Sequence, residues 1–194
     1  EAAAIEENAE ARAAWRRGRY LWHKGTHQSF VASMAHFREA LEHDADFADA
    51  HVGLASAYIA LGRYGIQAPQ ETFPKGRAAA LRALELNPGS AEAHSALAQA
   101  HFYYDWDFAA AAREFGIALE LEPGLALTHH AYAHFLSCLG LHERGMRSAQ
   151  KARALEPLWP MVIIDTAWFY YRARDFEMAA SESRRALELE PNSY

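Results

Sequence analysis

Sulfur chemistry is almost missing from this chain. Cys138 is its single cysteine, so no disulfide can close within one molecule, and a reducing, cytoplasmic home is expected. Basic residues do not predominate either. The chain has 19 Lys and Arg against 25 Asp and Glu, a formal net charge of -6. That balance lacks the electropositive footprint of a nucleic-acid-binding domain, so no direct contact with DNA or RNA is expected. Long apolar runs are absent too: the longest, 158–171, carries Asp165 and is too short to cross a bilayer, so no membrane span is expected. No secretory signal pattern opens the sequence. It contains no Ser or Cys nucleophile motif and no glycine-rich phosphate loop, so neither enzymatic activity nor a cofactor is expected. What it does hold is apolar residues in quantity, 51% against 23% charged, a balance that suits a closely packed helical protein and argues against disorder.

The few prolines are placed with a rhythm. Ala118-Leu119-Glu120-Leu121-Glu122-Pro123-Gly124 restates Ala83-Leu84-Glu85-Leu86-Asn87-Pro88-Gly89. The phrase returns as Ala152-Arg153-Ala154-Leu155-Glu156-Pro157 and as Ala186-Leu187-Glu188-Leu189-Glu190-Pro191. A degenerate first copy, Ala40–Ala45, has lost the proline. Pro123 to Pro157 and Pro157 to Pro191 are both 34 residues, Pro88 to Pro123 is 35, and Ala45 to Pro88 is 43. A 34-residue period closing on proline is the signature of a tetratricopeptide repeat (TPR) array. The closing proline stops the second helix of each pair, because it lacks an N–H and disfavours helix in the residue before it.

Setting that proline at position 32 gives units 14–47, 48–90, 91–125, 126–159 and 160–193. Residues 1–13, free of Gly and Pro, extend the first helix. Each unit reads as two amphipathic helices. The expectation is therefore an all-α, right-handed α-solenoid of about five TPR helix pairs spanning 1–194. Helix axes only 8–10 Å apart need small side chains at their contact. Position 8 supplies Ala55, Ala98, Ala133 and Ala167; position 20 supplies Ser33, Gly76, Ala111, Gly145 and Ala179; position 27 is alanine in all five units. The second unit carries nine extra residues around 65–73, expected to form a surface loop between its helices. The third has one extra residue within Tyr103–Phe108, where Asp107 reads as an N-cap and Trp106 is expected to pack under the turn.

Gly18-Arg19-Tyr20-Leu21-Trp22, Tyr103-Tyr104-Asp105-Trp106-Asp107-Phe108 and Arg113-Glu114-Phe115 resemble a bacterial TPR subtype. It lies behind the winged-helix domain of CadC-like transcriptional regulators and behind cyclase or kinase domains of related signalling proteins. Trp159-Pro160 replaces the subtype's more usual Ser-Pro, and Ala45 replaces a proline. The chain opens without methionine and reads as a fragment of a longer protein. The resemblance implies that the first helices line a concave face through positions 2, 5, 9, 12 and 13. Carried over residue by residue, those positions give a peptide or ligand groove of Ser56, Glu92, Gln99 and Tyr103, then His130 and His134, then Met161, Ile164, Trp168 and Tyr171. The Lys and Asn that grip a carboxylate tail in chaperone-binding TPRs are absent at positions 5 and 9. The apolar stretch Met161–Tyr171 reads either as an aromatic anchor for a partner helix or peptide, or as a face covered by a further repeat. An uncovered face of that kind can also drive self-association.

His51, His94 and His129 recur at position 4 and read as partly buried structural imidazoles. His130 and His134 stand four apart, the spacing that lets two imidazoles share a metal. No glutamate follows His130, and Cys138 lies about 12 Å further along by helical rise. Asp165 is the one conceivable third ligand, and no metal is expected. The function these residues predict is a protein-interaction scaffold that takes a peptide or helix in its groove, as the regulatory region of a bacterial signalling protein or transcriptional regulator. The alternative is a small-molecule sensor that gates an attached DNA-binding or catalytic domain.

Overall fold

The computed structural model describes residues 2–189, with side chains from residue 9 onward. Pro191, the closing proline of the last expected unit, lies outside the described residues. Among those described, the chain is all-α with no strand, an α-solenoid of antiparallel helix pairs. It divides into two compact units after Leu121. The first holds α1 (Ala2–His23), α2 (His27–His43), α3 (Ala48–Arg63), α4 (Pro69–Leu86), α5 (Ala91–Ala100) and α6 (Phe108–Leu121). The second holds α7 (Ala126–Cys138), α8 (His142–Leu155), α9 (Pro160–Arg172) and α10 (Phe176–Leu189).

In the first unit α1 packs on α2, α3 on α4 and α5 on α6, and the first helix of each pair also touches the next first helix. The small residues are what allow this. A Cβ added to Gly76 would stand 3.2 Å from the Ala55 carbonyl oxygen, and one on Gly145 would stand 3.0 Å from that of Ala133. Position 20 of the second helix, held across the units by glycine, alanine or serine, therefore presses on the backbone at position 8 of the first. All five position-27 alanines are buried. Phe37 of α2 fills the complementary slot: its ring lies where a Cβ on Gly18 of α1 or Gly53 of α3 would fall. The two glycines thus make room for a large aromatic between neighbouring pairs.

Two expectations about the irregular units are corrected. Most of the extra residues of the second unit do not form a surface loop. Set against α7 and α8, with 13 and 14 residues, seven of the nine lengthen α3 and α4 to 16 and 18, and two lengthen the join, which is residues 64–68 here and 139–141 there. Pro69 sits in the first turn of α4, where its missing N–H has no helical partner to lose. Phe73 is then buried and stacked on Tyr104, centroids 5.4 Å apart. In the third unit the extra residue is absorbed by a π-helical turn over His101–Asp105, which continues α5. Such a turn accommodates one additional residue without breaking the helix. Trp106 follows it in the left-handed region at φ 58°, and its side chain is 73% exposed rather than packed under the turn. Asp107 caps α6, its Oδ1 accepting from the Ala110 N–H at 2.9 Å.

The recurring histidines act as clasps. Nε2 of His51 meets the carbonyl oxygen of Ala45 at 3.0 Å, that of His94 meets Pro88 at 3.3 Å, and that of His129 meets Pro123 at 2.9 Å. Each ties position 4 of one repeat to position 32 of the repeat before it, fixing the turn between helix pairs. The fifth repeat has Ile163 at position 4. There Arg153 donates to the Pro157 carbonyl at 3.0 Å and replaces the imidazole.

Candidate functional site

The most concentrated polar chemistry lies in the second unit. His130 and His134 occupy successive turns of α7, and Asp165 faces them from α9. Asp165 Oδ2 accepts from both rings, 2.5 Å from His130 Nε2 and 2.8 Å from His134 Nε2. Candidate ligand atoms of all three residues lie within 4.8 Å of one another. Aromatic rings close round the cluster: Trp159 against His130 at 5.8 Å, and Phe169 and Trp168 against His134 at 5.2 and 6.1 Å. His130 is 3% exposed. Burial alone raises the pKa of a carboxyl group. At Asp165 the hydrogen bonds from His130 and His134 and their charge outweigh burial, holding the group well below the usual carboxylate range.

Beside this cluster α9 turns an apolar stripe outward. Val162, Ile163, Thr166, Ala167 and Phe169 are buried, while Trp168 and Tyr171 are 45% and 61% exposed. Met161 and Ile164, half-buried, continue the same line at helical spacing. The Arg172 guanidinium lies 4.7 Å from the Trp168 ring centroid and donates to Ser137 Oγ at 3.1 Å. Where α7, α8 and α9 meet at that end, a cavity of about 450 Å³ opens, lined by Ser137, His142, Glu143, Met146, Arg147, Phe169, Arg172 and Ala173. Its walls are mainly apolar, and its charged groups are Arg172, Arg147 and Glu143, the last two 3.9 Å apart.

The remaining expected groove residues lie in the first unit. Glu92 is engaged by Arg19, whose Nη1 lies 2.8 Å from each carboxylate oxygen. Gln99 is buried and donates to its own helix, at the Ser95 carbonyl oxygen, 3.3 Å away. Ser56 is half-buried. Tyr103 is half-buried on the π-helical turn, tilted against Phe73 and Phe102 with the Arg63 guanidinium 5.2 Å from its ring. The candidate groove residues left out Ser137, His142 and Arg172. Ser137 and Arg172 stand at positions 12 and 13 of their units, which the repeat frame itself assigns to the concave face, so the frame could have found them; His142, at position 17 on the second helix of its pair, carries no such signal. Asp165 was legible only as a conceivable partner of the two histidines, and the structure brings it to them.

No protein-family model matches the chain, and no curated protein matches its sequence. Solved structures share its fold. TTC0263, a thermophilic TPR protein of Thermus thermophilus, superposes with a TM-score of 0.71 at 19% identity, covering 94% of this chain and 93% of that one. PilF of Pseudomonas aeruginosa gives 0.59 at 16% identity over 95% of this chain and 78% of that one. YrrB, a TPR protein with an unusual peptide-binding site, gives 0.51 at 17% identity over 97% and 91%. The fold is thus that of TPR proteins.

Proposed function

We propose that this chain is a protein-interaction scaffold of the TPR kind that binds a peptide or amphipathic helix. The observation that carries this reading is the α9 stripe. A helix already buried on one face keeps Trp168 and Tyr171 exposed, with an arginine stacked on Trp168. Large aromatics and arginine are the residue types that concentrate binding energy at protein interfaces. Met161 and Ile164 extend the stripe, while Ser56, Glu92 and Tyr103 of the first unit are further candidates for contact. The peptide-binding site described for YrrB favours the same class of ligand. The resemblance of the repeat motifs to those of CadC-like regulators favours a place in the regulatory region of a larger signalling protein or transcriptional regulator. A random-peptide display selection against the purified chain tests the reading. Selected peptides are expected to lose at least about tenfold in affinity, or about 1.4 kcal/mol, in a Trp168→Ala/Tyr171→Ala double variant. Peptides that bind the double variant undiminished would remove α9 as the site.

A second reading rests on the cavity. Its volume falls in the range of small-molecule sites, and mainly apolar walls with the Arg172 cation suit a ligand with an apolar body and a carboxylate head, Arg147 being offset by Glu143. In this reading the chain is a sensor gating an attached domain. A thermal-shift screen with such acids is expected to raise Tm in wild type, by mass action on the native state, and not in Arg172→Ala. A shift that persists in that variant would exclude the cavity.

A further inference from the structure

We infer that His130, His134 and Asp165 form a binding site for a divalent transition-metal ion of the zinc class. The donors are the first argument. Two imidazole nitrogens and one carboxylate oxygen suit zinc, cobalt or nickel, whereas calcium and magnesium prefer oxygen alone. The second argument is convergence. Both Nε2 atoms aim at the same oxygen, Asp165 Oδ2, at 2.5 and 2.8 Å. Four-coordinate zinc holds nitrogen and oxygen at about 2.0–2.2 Å, which separates neighbouring ligand atoms by about 3.3 Å. Each nitrogen–oxygen separation has to open by under about 1 Å to reach that spacing, and all three candidate ligand atoms already lie within 4.8 Å of one another.

Rigidity and access complete the case. The histidines share one face of α7, and α9 supplies the carboxylate; α8 packs on both helices, and the Arg172–Ser137 hydrogen bond and the Phe169–His134 ring contact join α9 to α7 directly. Trp159 and Phe169 brace the two rings from behind. His134 and Asp165 keep 15% and 19% of their side-chain surface in solvent, which leaves an ion a route to a cluster that is otherwise enclosed. Each Nε2 must offer its lone pair to the ion. The proton it now donates to Asp165 therefore moves to Nδ1 of the same ring or leaves to solvent, and the dication takes over the carboxylate charge that the two N–H groups satisfy. Three protein ligands leave a fourth coordination position for water or an added donor. Cys138 is exposed and outside the three-residue group.

The test titrates chelator-treated chain with zinc chloride by calorimetry and with cobalt chloride by visible absorption. The expected result is one equivalent bound in the micromolar range or tighter, with the intense visible bands of four-coordinate cobalt. Affinity is expected to fall at least about tenfold in His134→Gln and in Asp165→Asn; both replacements keep a polar side chain at the site, and circular dichroism checks their fold. His94→Ala, remote in sequence, is expected to leave affinity unchanged. X-ray absorption of zinc-loaded wild type needs no variant and is expected to show two imidazoles in a mixed nitrogen and oxygen shell. Failure of wild type to bind either ion overturns the proposal. So does undiminished binding in both folded variants, or a zinc shell holding fewer than two imidazoles.

Discussion

Single residues carry two kinds of constraint here, space and charge. Gly53 is a constraint of space, because Phe37 fills the volume a Cβ would need, with a ring carbon only 2.5 Å from that position. Phe37 is fully buried and has nowhere to withdraw. Gly53→Ala is expected to lower stability by about 1–3 kcal/mol through overpacking, even though alanine is the better helix former. Urea denaturation measures this, and a neutral or stabilising outcome would show that Phe37 can repack. Asp165 is a constraint of charge. Its pKa is held below the ordinary carboxylate value by the two histidines, so its contribution is present above that ordinary value and is lost as pH falls through the folded one. In metal-free protein, Asp165→Asn is expected to be less stable than wild type near neutrality, and the gap is expected to narrow below about pH 4. A gap that widens on acidification would contradict the assignment.

At the scale of elements, the signals in the sequence were as good as their physical cause was local. A cap is local: Asp107 was legible because a short acidic side chain before a helix can reach the N–H three residues on, and it does. Asp107→Ala is therefore expected to cost about 1 kcal/mol, read as a lower Tm, whereas substitution at the exposed Trp106 is expected to change stability by less than about 0.5 kcal/mol. The repeat spacing was likewise legible, since the small residues that set it recur wherever two backbones touch. What spacing could not convey was how surplus residues are stored. Nine extra residues between two helices look the same on paper as a loop or as longer helices. The burial of Phe73 against Tyr104, a contact with the following repeat, decides it in favour of helix for all but two of them, which lengthen the join at 64–68. One extra residue near Tyr103 became a π-helical turn, a choice made by tertiary contacts such as Arg77 to Asp105 at 2.8 Å.

At the scale of the whole molecule, the arrangement of contacts sets how stability is distributed. Within each compact unit the helix pairs pack on their neighbours in sequence, and a stack of this kind has a stability close to a sum of repeat and nearest-neighbour terms. The two units then need not lose structure together. The His130–Asp165–His134 cluster joins α7 to α9 within the second unit, so its loss removes a tie that the first unit never uses. This too was half legible: the histidine pair stands out in one helix, but the carboxylate comes from the next repeat, 31 residues beyond His134, and only packing brings it home. In native-state hydrogen exchange, Asp165→Asn is expected to lower amide protection across α7–α10 by more than it does across α1–α6. Equal loss throughout would mean that the chain unfolds as one cooperative body and that the cluster stabilises all of it.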